Sequence, residues 1–331
     1  MSIAENRQIQ DAGLARRAEP RYERGTLALP DPFVLENGAE LSGAGLAWQC
    51  VGPETAPLIV VLGGISAHRR CVDADGGGWW EAQCGAGRAL DSERFRLLSV
   101  DWLGGCDDST GPAAGETFPT VSTTDQARAI LLLLNRLGVR HVHGIVGASY
   151  GGAVAQVLAA LLGRRLSRLV LLSAAHKTSQ FALALRDVQR SILDLGEDSQ
   201  AALALVRALA IIGYRTPQGF EERFAPTGDA VVWLARHGNA FAERFNASAY
   251  RCLSTSLDSH CIDAAAISVP TTILSVEDDL LVPPSLSREF AATCSGPCDI
   301  VDISSTYGHD AFLKEETIVA NLLRRVLEQT A

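Results

Sequence analysis

From residue 58 onward, the sequence alternates short apolar runs with longer segments that carry a helical pattern of apolar residues. Each apolar run is bounded by turn residues and is therefore predicted to be a buried strand. The runs are LIVVLGG (58–64), FRLLSVDWLG (95–104), VHGIVGAS (142–149) and LSRLVLLSAA (166–175). The helical pattern is clearest over 123–138 and over GGAVAQVLAALL, which starts at Gly151. This alternation predicts an α/β fold with a mostly parallel, doubly wound sheet.

The alternation stops between residues 178 and 255, where the sequence is compatible with helix throughout. It resumes with TTILSVEDDLLVPP (271–284) and CDIVDISS (298–305), and a last helix is predicted over 315–328. We therefore predict a core formed by residues 26–177 and 256–331, interrupted by a helical lid over 178–255. Residues 1–25 are polar from their start and lack an apolar signal segment, so a flexible arm is predicted there.

Composition disfavours several classes of function. The formal net charge of −9 disfavours a nucleic-acid partner, because phosphate binding needs clustered Lys and Arg. No apolar run reaches the roughly 20 residues that a membrane-spanning helix needs, so no membrane partner is predicted. The eight cysteines have neither the spacing of metal ligands nor the density of a disulfide scaffold. These features predict a cytoplasmic protein with free thiols and no metal site.

Ser149 lies in Gly147-Ala148-Ser149-Tyr150-Gly151, between a predicted strand and a predicted helix. This G-x-S-x-G pattern is typical of a nucleophile elbow, in which small residues let the chain turn sharply and expose the serine. Alone, the pattern is equally common as a plain glycine-rich turn. The strand before it and the helix after it favour the nucleophile.

A serine nucleophile needs a histidine base and a carboxylate that orients the base. In the α/β-hydrolase fold these follow the serine in the order Asp or Glu, then His. Asp278 and Asp279 follow the predicted strand TTILSV, and His309 lies in the loop after CDIVDISS. Of the seven histidines, only His309 lies in a loop after a late strand. The order predicts a triad of Ser149, His309 and one of the two aspartates.

An acyl-serine mechanism also needs two N–H groups that bind the developing oxyanion. One is expected from the amide of Tyr150, directly after the serine. The other is expected from the loop VLGGISAHRR (61–70), in which Gly63 and Gly64 allow a close approach of the backbone. The amide of Ile65 is the candidate in that loop.

Several separated blocks of the sequence carry a more specific signal. They are GGWWEAQCGAGRALDSERFRLLSVDWLGGCDDSTGP (77–112), VGASYGG (146–152), VRALAIIGYRTPQGFEERF (206–224), RFNASAY (244–250), SLDSHCID (256–263) and GHDAFL (308–313). In this order the blocks resemble those of the homoserine O-acyltransferases of methionine biosynthesis, a family of the α/β-hydrolase superfamily. The resemblance runs from about Phe33 to the end of the chain.

For the triad, the resemblance implies Ser149 as the nucleophile, His309 as the general base and Asp279 as the orienting acid. Asp279 is chosen over Asp278 because the family's aspartate stands four residues before a proline, as Asp279 does before Pro283. The implied reaction is ping-pong. The serine takes an acyl group from acyl-CoA, which is a co-substrate rather than a bound cofactor, and passes it to the hydroxyl of homoserine.

For the acceptor, the resemblance implies that Arg207 binds the amino-acid carboxylate and that Asp310 binds the ammonium group, with Tyr214 as a further substrate-binding residue. An arginine offers a two-pronged donor that matches a carboxylate. An arginine inside the apolar run ALALVRALAII would also be costly to bury without an anion. By analogy with the family, the protein is expected to be a homodimer joined through its helical insertion.

Departures from the family pattern concentrate around the expected acyl pocket. Asp101 stands where the family usually has Asn, and Tyr150 where it usually has Met. Leu281 occupies a place where relatives that use succinyl-CoA often carry Arg, which slightly favours acetyl-CoA. Arg69 and Arg70, beside the early glycine-rich loop, offer a cation for a succinyl carboxylate from another direction.

Three alternatives stay open. L-Serine is one methylene shorter than homoserine, and one methylene gives only ~1–3 kcal/mol of discrimination. An esterase would use the same triad, although it has no reason to carry Arg207 and Asp310. A non-catalytic protein on the same scaffold is disfavoured because all three triad candidates are present.

Overall fold

The computed structural model describes residues 21–196, 199–225 and 228–328. Twelve strands lie in these ranges: β1 (Tyr22–Ala28), β2 (Phe33–Val34), β3 (Glu40–Leu41), β4 (Gly45–Val51), β5 (Leu58–Leu62), β6 (Cys84–Gly85), β7 (Leu90–Asp91), β8 (Arg96–Val100), β9 (Gly144–Ala148), β10 (Leu169–Leu172), β11 (Thr271–Val276) and β12 (Cys298–Ile303). The α-helices of the same ranges are α1 (Thr123–Arg136), α2 (Tyr150–Leu162), α3 (Gln180–Leu195), α4 (Ser199–Tyr214), α5 (Pro217–Phe224), α6 (Ala230–Ala242), α7 (Ala247–Asp258), α8 (Pro284–Thr293), α9 (Ala311–Lys314) and α10 (Glu316–Leu327).

Eight of the strands form one sheet in the order β1-β4-β8-β5-β9-β10-β11-β12. The six strands from β8 to β12 in this order are parallel, whereas β1 and β4 join antiparallel at one edge. The sheet is therefore mostly parallel, and the predicted fold class is confirmed. The small pairs β2–β3 and β6–β7 lie outside this sheet.

Apolar residues cover both faces of the central strands. Along β5, Val60 and Leu62 belong to the hydrophobic cluster formed with α1 and α2, whereas Ile59 and Val61 belong to the cluster formed with α10. A strand buried on both faces must be apolar at every position, which explains the unbroken run LIVVL. The doubly wound arrangement follows from this pattern.

Helices α3 to α7 occupy residues 180–258 and have no strand among their described residues. We call them the helical insertion. Its last helix ends at Asp258, just past the predicted boundary at residue 255. The insertion and the core share one interior, because Val206, Phe241 and Leu253 belong to the same hydrophobic cluster as the core helices α1 and α2.

The predicted C-terminal boundary of the flexible arm, residue 25, lies too far along the chain. Residues 22–25, which were assigned to the arm, belong to β1, and Tyr22 to Ala28 pair with β4 over the full length of the strand. Residues 1–20 of that arm lie outside the described residues. A mixed sequence such as YERGTLA gives no buried-strand signal because β1 is an edge strand with one exposed face.

The sheet brings several loops to one edge. Ile65 follows β5, Ser149 follows β9, Asp279 follows β11 and His309 follows β12. The carboxyl ends of parallel strands lie at the same edge of a sheet, which is where open α/β sheets form their sites. Residues up to 244 positions apart in sequence therefore meet there.

Candidate active site

Ser149 stands on a strained turn between β9 and α2. Its backbone has φ 52° and ψ −119°, and positive φ is uncommon for a residue with a side chain. The glycines around it allow the strand and the helix to touch. A Cβ on Gly151 would lie 2.4 Å from the carbonyl carbon of Leu62, and one on Gly152 would lie 2.2 Å from the Cβ of Ala174. Larger residues at these two places would push α2 away from the sheet.

Ser149, His309 and Asp279 form a continuous hydrogen-bonded chain. The Oγ of Ser149 lies 2.8 Å from Nε2 of His309, and Nδ1 of His309 lies 2.8 Å from Oδ2 of Asp279. Both His309 and Asp279 are buried. The arrangement has the connectivity of a serine–histidine–aspartate triad, in which the aspartate sets the tautomer of the histidine.

The structure distinguishes the two neighbouring aspartates. Oδ1 of Asp279 accepts hydrogen bonds from the amides of Leu281 and Val282, both at 2.9 Å, which leaves Oδ2 for His309. Asp278 is exposed and its carboxylate accepts a hydrogen bond from Ser304 instead. Asp279 is therefore the carboxylate that contacts the histidine.

The pKa of His309 is raised above the ordinary value for histidine. Burial alone acts in the opposite direction and lowers the pKa, and Arg186 lowers it further. The charge of Asp279, its hydrogen bond and the charge of Asp310 outweigh these effects. Two carboxylates therefore stabilise the imidazolium that forms when His309 takes a proton from Ser149.

A cavity of about 420 Å³ opens onto Ser149 and His309. Its walls come from the loop after β5, from the helical insertion and from the loop after β12. Arg186, Arg207 and Arg244 all line it, and Asp310 is the carboxylate in the lining. The cavity is large enough for a small-molecule substrate and is rich in positive charge.

Arg207 lies in the cavity wall without a carboxylate partner among the described residues. Its guanidinium stands 5.1 Å from the ring centre of Phe241 and 5.7 Å from that of Tyr214. Tyr214 also lines the cavity, and its ring packs against His309 at 5.6 Å. The two aromatic rings hold Arg207 in place while its N–H groups stay available for an anion.

Asp310 lines the same cavity but already has a partner that the sequence analysis did not identify. Oδ2 of Asp310 accepts from Nε of Arg215 at 3.1 Å and lies 3.0 Å from its Nη2. Arg215 directly follows Tyr214 in a block singled out from the sequence, but its partner lies 95 positions away. Only the tertiary structure reveals this pair.

The two predicted oxyanion amides differ in their surroundings. Ile65 lies in the wall of the cavity, at the end of the glycine-rich loop. The Tyr150 amide directly follows Ser149 at the first residue of α2, where helical N–H groups have no partner within the helix. The amide of Gly151 donates to the carbonyl of Gly63 at 2.8 Å, which holds this loop against the elbow.

The side chain of Tyr150 does not shape the acyl pocket, contrary to the expectation from the sequence. It is fully buried and its hydroxyl contacts Ser256 at 2.9 Å and Gln126 at 3.2 Å. Its ring packs edge-on against Trp102. The side chain thus joins α1, α2 and the helical insertion, while only its backbone faces the serine.

The expectation that Arg69 or Arg70 supplies a cation to the acyl group is also wrong. Arg69 pairs with the buried Asp101 at 2.9 Å and with Asp108, and Arg70 lies 3.4 Å from Asp73. Neither arginine lines a cavity that contains Ser149. Asp101 therefore serves to position this loop through Arg69, rather than to contact a substrate.

A second, smaller cavity of about 50 Å³ is also lined by Ser149 and His309. Arg186 and Leu281 line both cavities. Arg186 bonds to Asp258 at 2.5 Å, but Arg190 shares the same carboxylate at 2.6 Å. Arg190 also lies 3.7 Å from the exposed carboxylate of Asp187, and Arg186 keeps its guanidinium in the lining of both cavities beside Ser149.

The pKa of a histidine in the wall of the large cavity is lowered by burial and by other arginines. His68 lines the large cavity, and its pKa is lowered to about 4 by burial first and then by Arg70, Arg244 and Arg69. The pKa of Arg244 is itself lowered by burial and by Arg207. The cavity therefore favours anionic groups.

This geometry defines an α/β-hydrolase-fold protein with a serine triad at the carboxyl edge of its sheet. Residues 57–316 match the family described as "alpha/beta hydrolase fold". The chain belongs, within that superfamily, to the homoserine O-acyltransferase family. No helix in the described ranges combines the length and apolar character that a membrane crossing needs.

Two curated relatives support this family assignment. The homoserine O-succinyltransferase of Xanthomonas campestris pv. campestris is 37% identical over 326 residues, which cover 94% of this chain and 85% of the relative. The homoserine O-acetyltransferase of Clavibacter michiganensis subsp. michiganensis is 30% identical and covers 97% of this chain and 96% of the relative.

Among solved structures, the homoserine O-acetyltransferase from Staphylococcus aureus is similar with a TM-score of 0.84 and 26% identity, covering 94% of this chain and 97% of that one. The structure of esterase E22 gives a TM-score of 0.83 at 18% identity, with 93% and 100% coverage, and supports the fold alone.

Proposed function

We propose that the protein transfers an acyl group from acyl-CoA to the hydroxyl of L-homoserine, in the cytoplasm, as a step of methionine biosynthesis. The observation that carries the proposal is the placement of Arg207 and Asp310 in the same cavity as the Ser149–His309–Asp279 chain. A cation and an anion beside a serine nucleophile match the carboxylate and ammonium groups of an amino acid.

The reaction proceeds in two half-reactions that use the same groups. In the first, Nε2 of His309 takes the proton of Ser149, whose oxygen attacks the thioester carbonyl. CoA leaves as the thiol with the proton from His309. In the second, His309 takes the proton of the homoserine hydroxyl, whose oxygen attacks the acyl-serine. The ester product leaves and the proton returns to Ser149.

In both half-reactions a tetrahedral oxyanion forms next to Ser149. The amides of Ile65 and Tyr150 are the proposed donors to that oxyanion. Water competes with homoserine for the acyl-serine, so the helical insertion acts as a lid that limits the access of water to Ser149.

For the donor, the charge of the cavity favours succinyl-CoA over acetyl-CoA. Homoserine is a zwitterion, so Arg207 and Asp310 balance its charges, and Arg186, which shares Asp258 with Arg190, remains as a further cation beside Ser149. Arg186 and Ser149 line the same two cavities, so Arg186 is in the walls that would surround an acyl chain on the serine. A succinyl group ends in the carboxylate that would pair with Arg186, whereas an acetyl group has none. The 37% identity to a succinyltransferase supports the same choice.

The mass of the acyl-enzyme tests the donor. The protein is exposed briefly to acetyl-CoA or succinyl-CoA without an acceptor, and its intact mass is measured. We expect a succinyl adduct at Ser149, and the variant R186L should lose its preference for succinyl-CoA. Arg236, an exposed residue of α6, supplies the control variant R236L, which should keep that preference. A stable acetyl adduct with no succinyl adduct would reverse the donor assignment.

The acceptor is tested by discharging the acyl-enzyme. L-Homoserine should remove the acyl group and yield its O-acyl ester, and L-serine should do so more slowly because it is one methylene shorter. Discharge at the same rate without any amino acid would instead identify an esterase.

We also propose that the protein is a homodimer joined through its helical insertion. Phe181, Val188 and Leu195 repeat every seven residues along α3 and are 51%, 52% and 85% exposed. Leu205 and Ile212 repeat in the same way along α4. Exposed apolar residues in such rows are typical of an interface between subunits. Light scattering coupled to gel filtration would measure the mass of the particle, and a monomer would refute the proposal.

A further inference from the structure

We propose that Arg215 is a positioning residue that orients Asp310 and thereby sets the recognition of the acceptor's amino group. The inference rests on the proposed function, because it concerns the acceptor half of that reaction. It assigns a role to the residue that follows Tyr214 and that does not itself line the cavity around Ser149.

The contact uses only one oxygen of Asp310. Nε and Nη2 of Arg215 both approach Oδ2, at 3.1 and 3.0 Å. Both side chains are largely buried, with exposed fractions of 10% for Arg215 and 17% for Asp310. The pairing fixes the position of Oδ2 and leaves Oδ1 for a further donor. An ammonium group in the cavity is such a donor.

Arg215 is itself held firmly by aromatic side chains. Its guanidinium lies 5.2 Å from the ring centre of Tyr307 and 5.8 Å from that of Trp233. Tyr307 belongs to the same loop as His309 and Asp310, whereas Trp233 belongs to α6 of the helical insertion. A guanidinium between two rings loses most of its rotational freedom before any substrate binds.

The backbone around this pair is closely packed. The Oγ1 of Thr216 donates to the carbonyl of Thr306 at 2.8 Å. A Cβ on Gly219 would lie 2.2 Å from the oxygen of Thr306, and one on Gly308 would lie 2.5 Å from the carbonyl oxygen of Tyr214. The segment after α4 and the loop after β12 therefore form one rigid junction at the acceptor site.

This junction links the two halves of amino-acid recognition. Arg207 and Arg215 are eight residues apart, and the amide of Arg215 still bonds to the carbonyl of Ile211 in the manner of a helix. One rigid segment thus carries both the guanidinium for the carboxylate of the acceptor and the guanidinium that orients Asp310. Displacing either end by about 1 Å is enough to cost ~10²-fold in rate.

The test separates the acceptor half-reaction from the donor half-reaction. The rate of acyl-enzyme formation from succinyl-CoA or acetyl-CoA is measured first, by rapid quenching and intact mass. Transfer is then measured to L-homoserine and to 4-hydroxybutyrate, which has the same hydroxyl and carboxylate but no amino group. The variants are R215M and R215K, with R223M as the matched control. Arg223 also lies over the ring of Trp233, at 5.2 Å, but does not contact Asp310.

For R215M we expect acylation within about twofold of the wild type and a KM for L-homoserine raised by roughly ten- to a hundredfold. Its preference for L-homoserine over 4-hydroxybutyrate should fall by a similar factor, whereas R223M should keep it. R215K should recover part of the preference, because lysine keeps the charge but not the two-pronged geometry.

Two outcomes would overturn this inference without affecting the proposed function. In the first, R215M forms the acyl-enzyme and keeps the wild-type preference for L-homoserine over 4-hydroxybutyrate. In the second, R215M loses acylation as much as transfer. The latter would assign Arg215 to general stability. A wild-type enzyme that forms no acyl-enzyme with either donor would overturn the proposed function itself.

Discussion

The hydroxyl of Tyr150 lies 2.9 Å from the Oγ of Ser256, so the residue after the nucleophile is bonded to the helical insertion. Gln126 of α1 donates to the same hydroxyl at 3.2 Å and also bonds to the backbone of Leu103. The nucleophile elbow, the insertion and α1 therefore share one buried polar network. Such networks give rigidity only when each member has its partner.

The first prediction concerns this network. Replacing Tyr150 with Phe should lower the free energy of unfolding by about 1–3 kcal/mol, because the buried hydroxyl of Ser256 loses its partner. The preference between acyl donors should not change, since the side chain does not line the cavity. Denaturant unfolding and the ratio of kcat/KM for the two acyl-CoA donors would measure both. A changed donor preference would indicate that the side chain of Tyr150 does shape the acyl pocket.

The second prediction concerns the nucleophile. Ser149→Ala should abolish acyl transfer and prevent formation of any acyl-enzyme, because its oxygen is the proposed attacking atom. Comparable serine triads lose about 10⁶-fold in kcat on such a change. The melting temperature should stay near that of the wild type, because among the described residues the side chain of Ser149 has a hydrogen bond only to His309. Ser295→Ala, at an exposed position, is the control. Retained turnover in S149A would refute the proposed mechanism.

The third prediction concerns pH. His309 must be neutral to take a proton, so the rate of acylation should fall as the pH drops through its raised pKa. The charge of Asp310 contributes to that rise. Asp310→Asn should therefore move the acidic limb of the acylation profile to lower pH. Acylation is the step to measure, because the same change also weakens acceptor binding. If the acidic limb stayed in place or moved to higher pH, the result would contradict the assignment of part of the raised pKa of His309 to the charge of Asp310.

The fourth prediction concerns the elbow glycines. Gly151→Ala should destabilise the fold by about 3 kcal/mol or more, because the new methyl group meets the backbone of Leu62 at 2.4 Å. Gly64→Ala is the matched control in the neighbouring loop, where a Cβ has no neighbour within 4 Å. Its stability should stay within about 0.5 kcal/mol of the wild type. Equal losses in the two variants, measured by denaturant unfolding, would argue against steric packing as the cause.

The core strands were predictable because burial on both faces requires a continuous run of apolar residues. The runs that predicted strands contain β5, β8, β9, β10, β11 and β12. No strand was predicted before residue 58, so the four strands from β1 to β4 were missed. β1 is an edge strand of mixed composition, and its place is decided by pairing with β4 rather than by its own apolar pattern.

The sequence by itself determined the triad residues, because each of them lies in or next to a short local motif. Ser149 is set by glycines within three positions, and Asp279 and His309 are set by the strands that precede them. These signals are local, so they can be recognised in a single sequence. The order of the three along the chain then restricts the fold class.

Only the tertiary structure decided which charges are free and which are already paired. Arg69 is held by Asp101, whereas Arg186 shares Asp258 with Arg190 and lines the cavity at Ser149. Arg215, which follows Tyr214 in sequence, is paired with Asp310. An arginine looks the same in a sequence whether its partner is a substrate or a distant carboxylate. The energy of a charge depends on what folding places within a few ångströms of it.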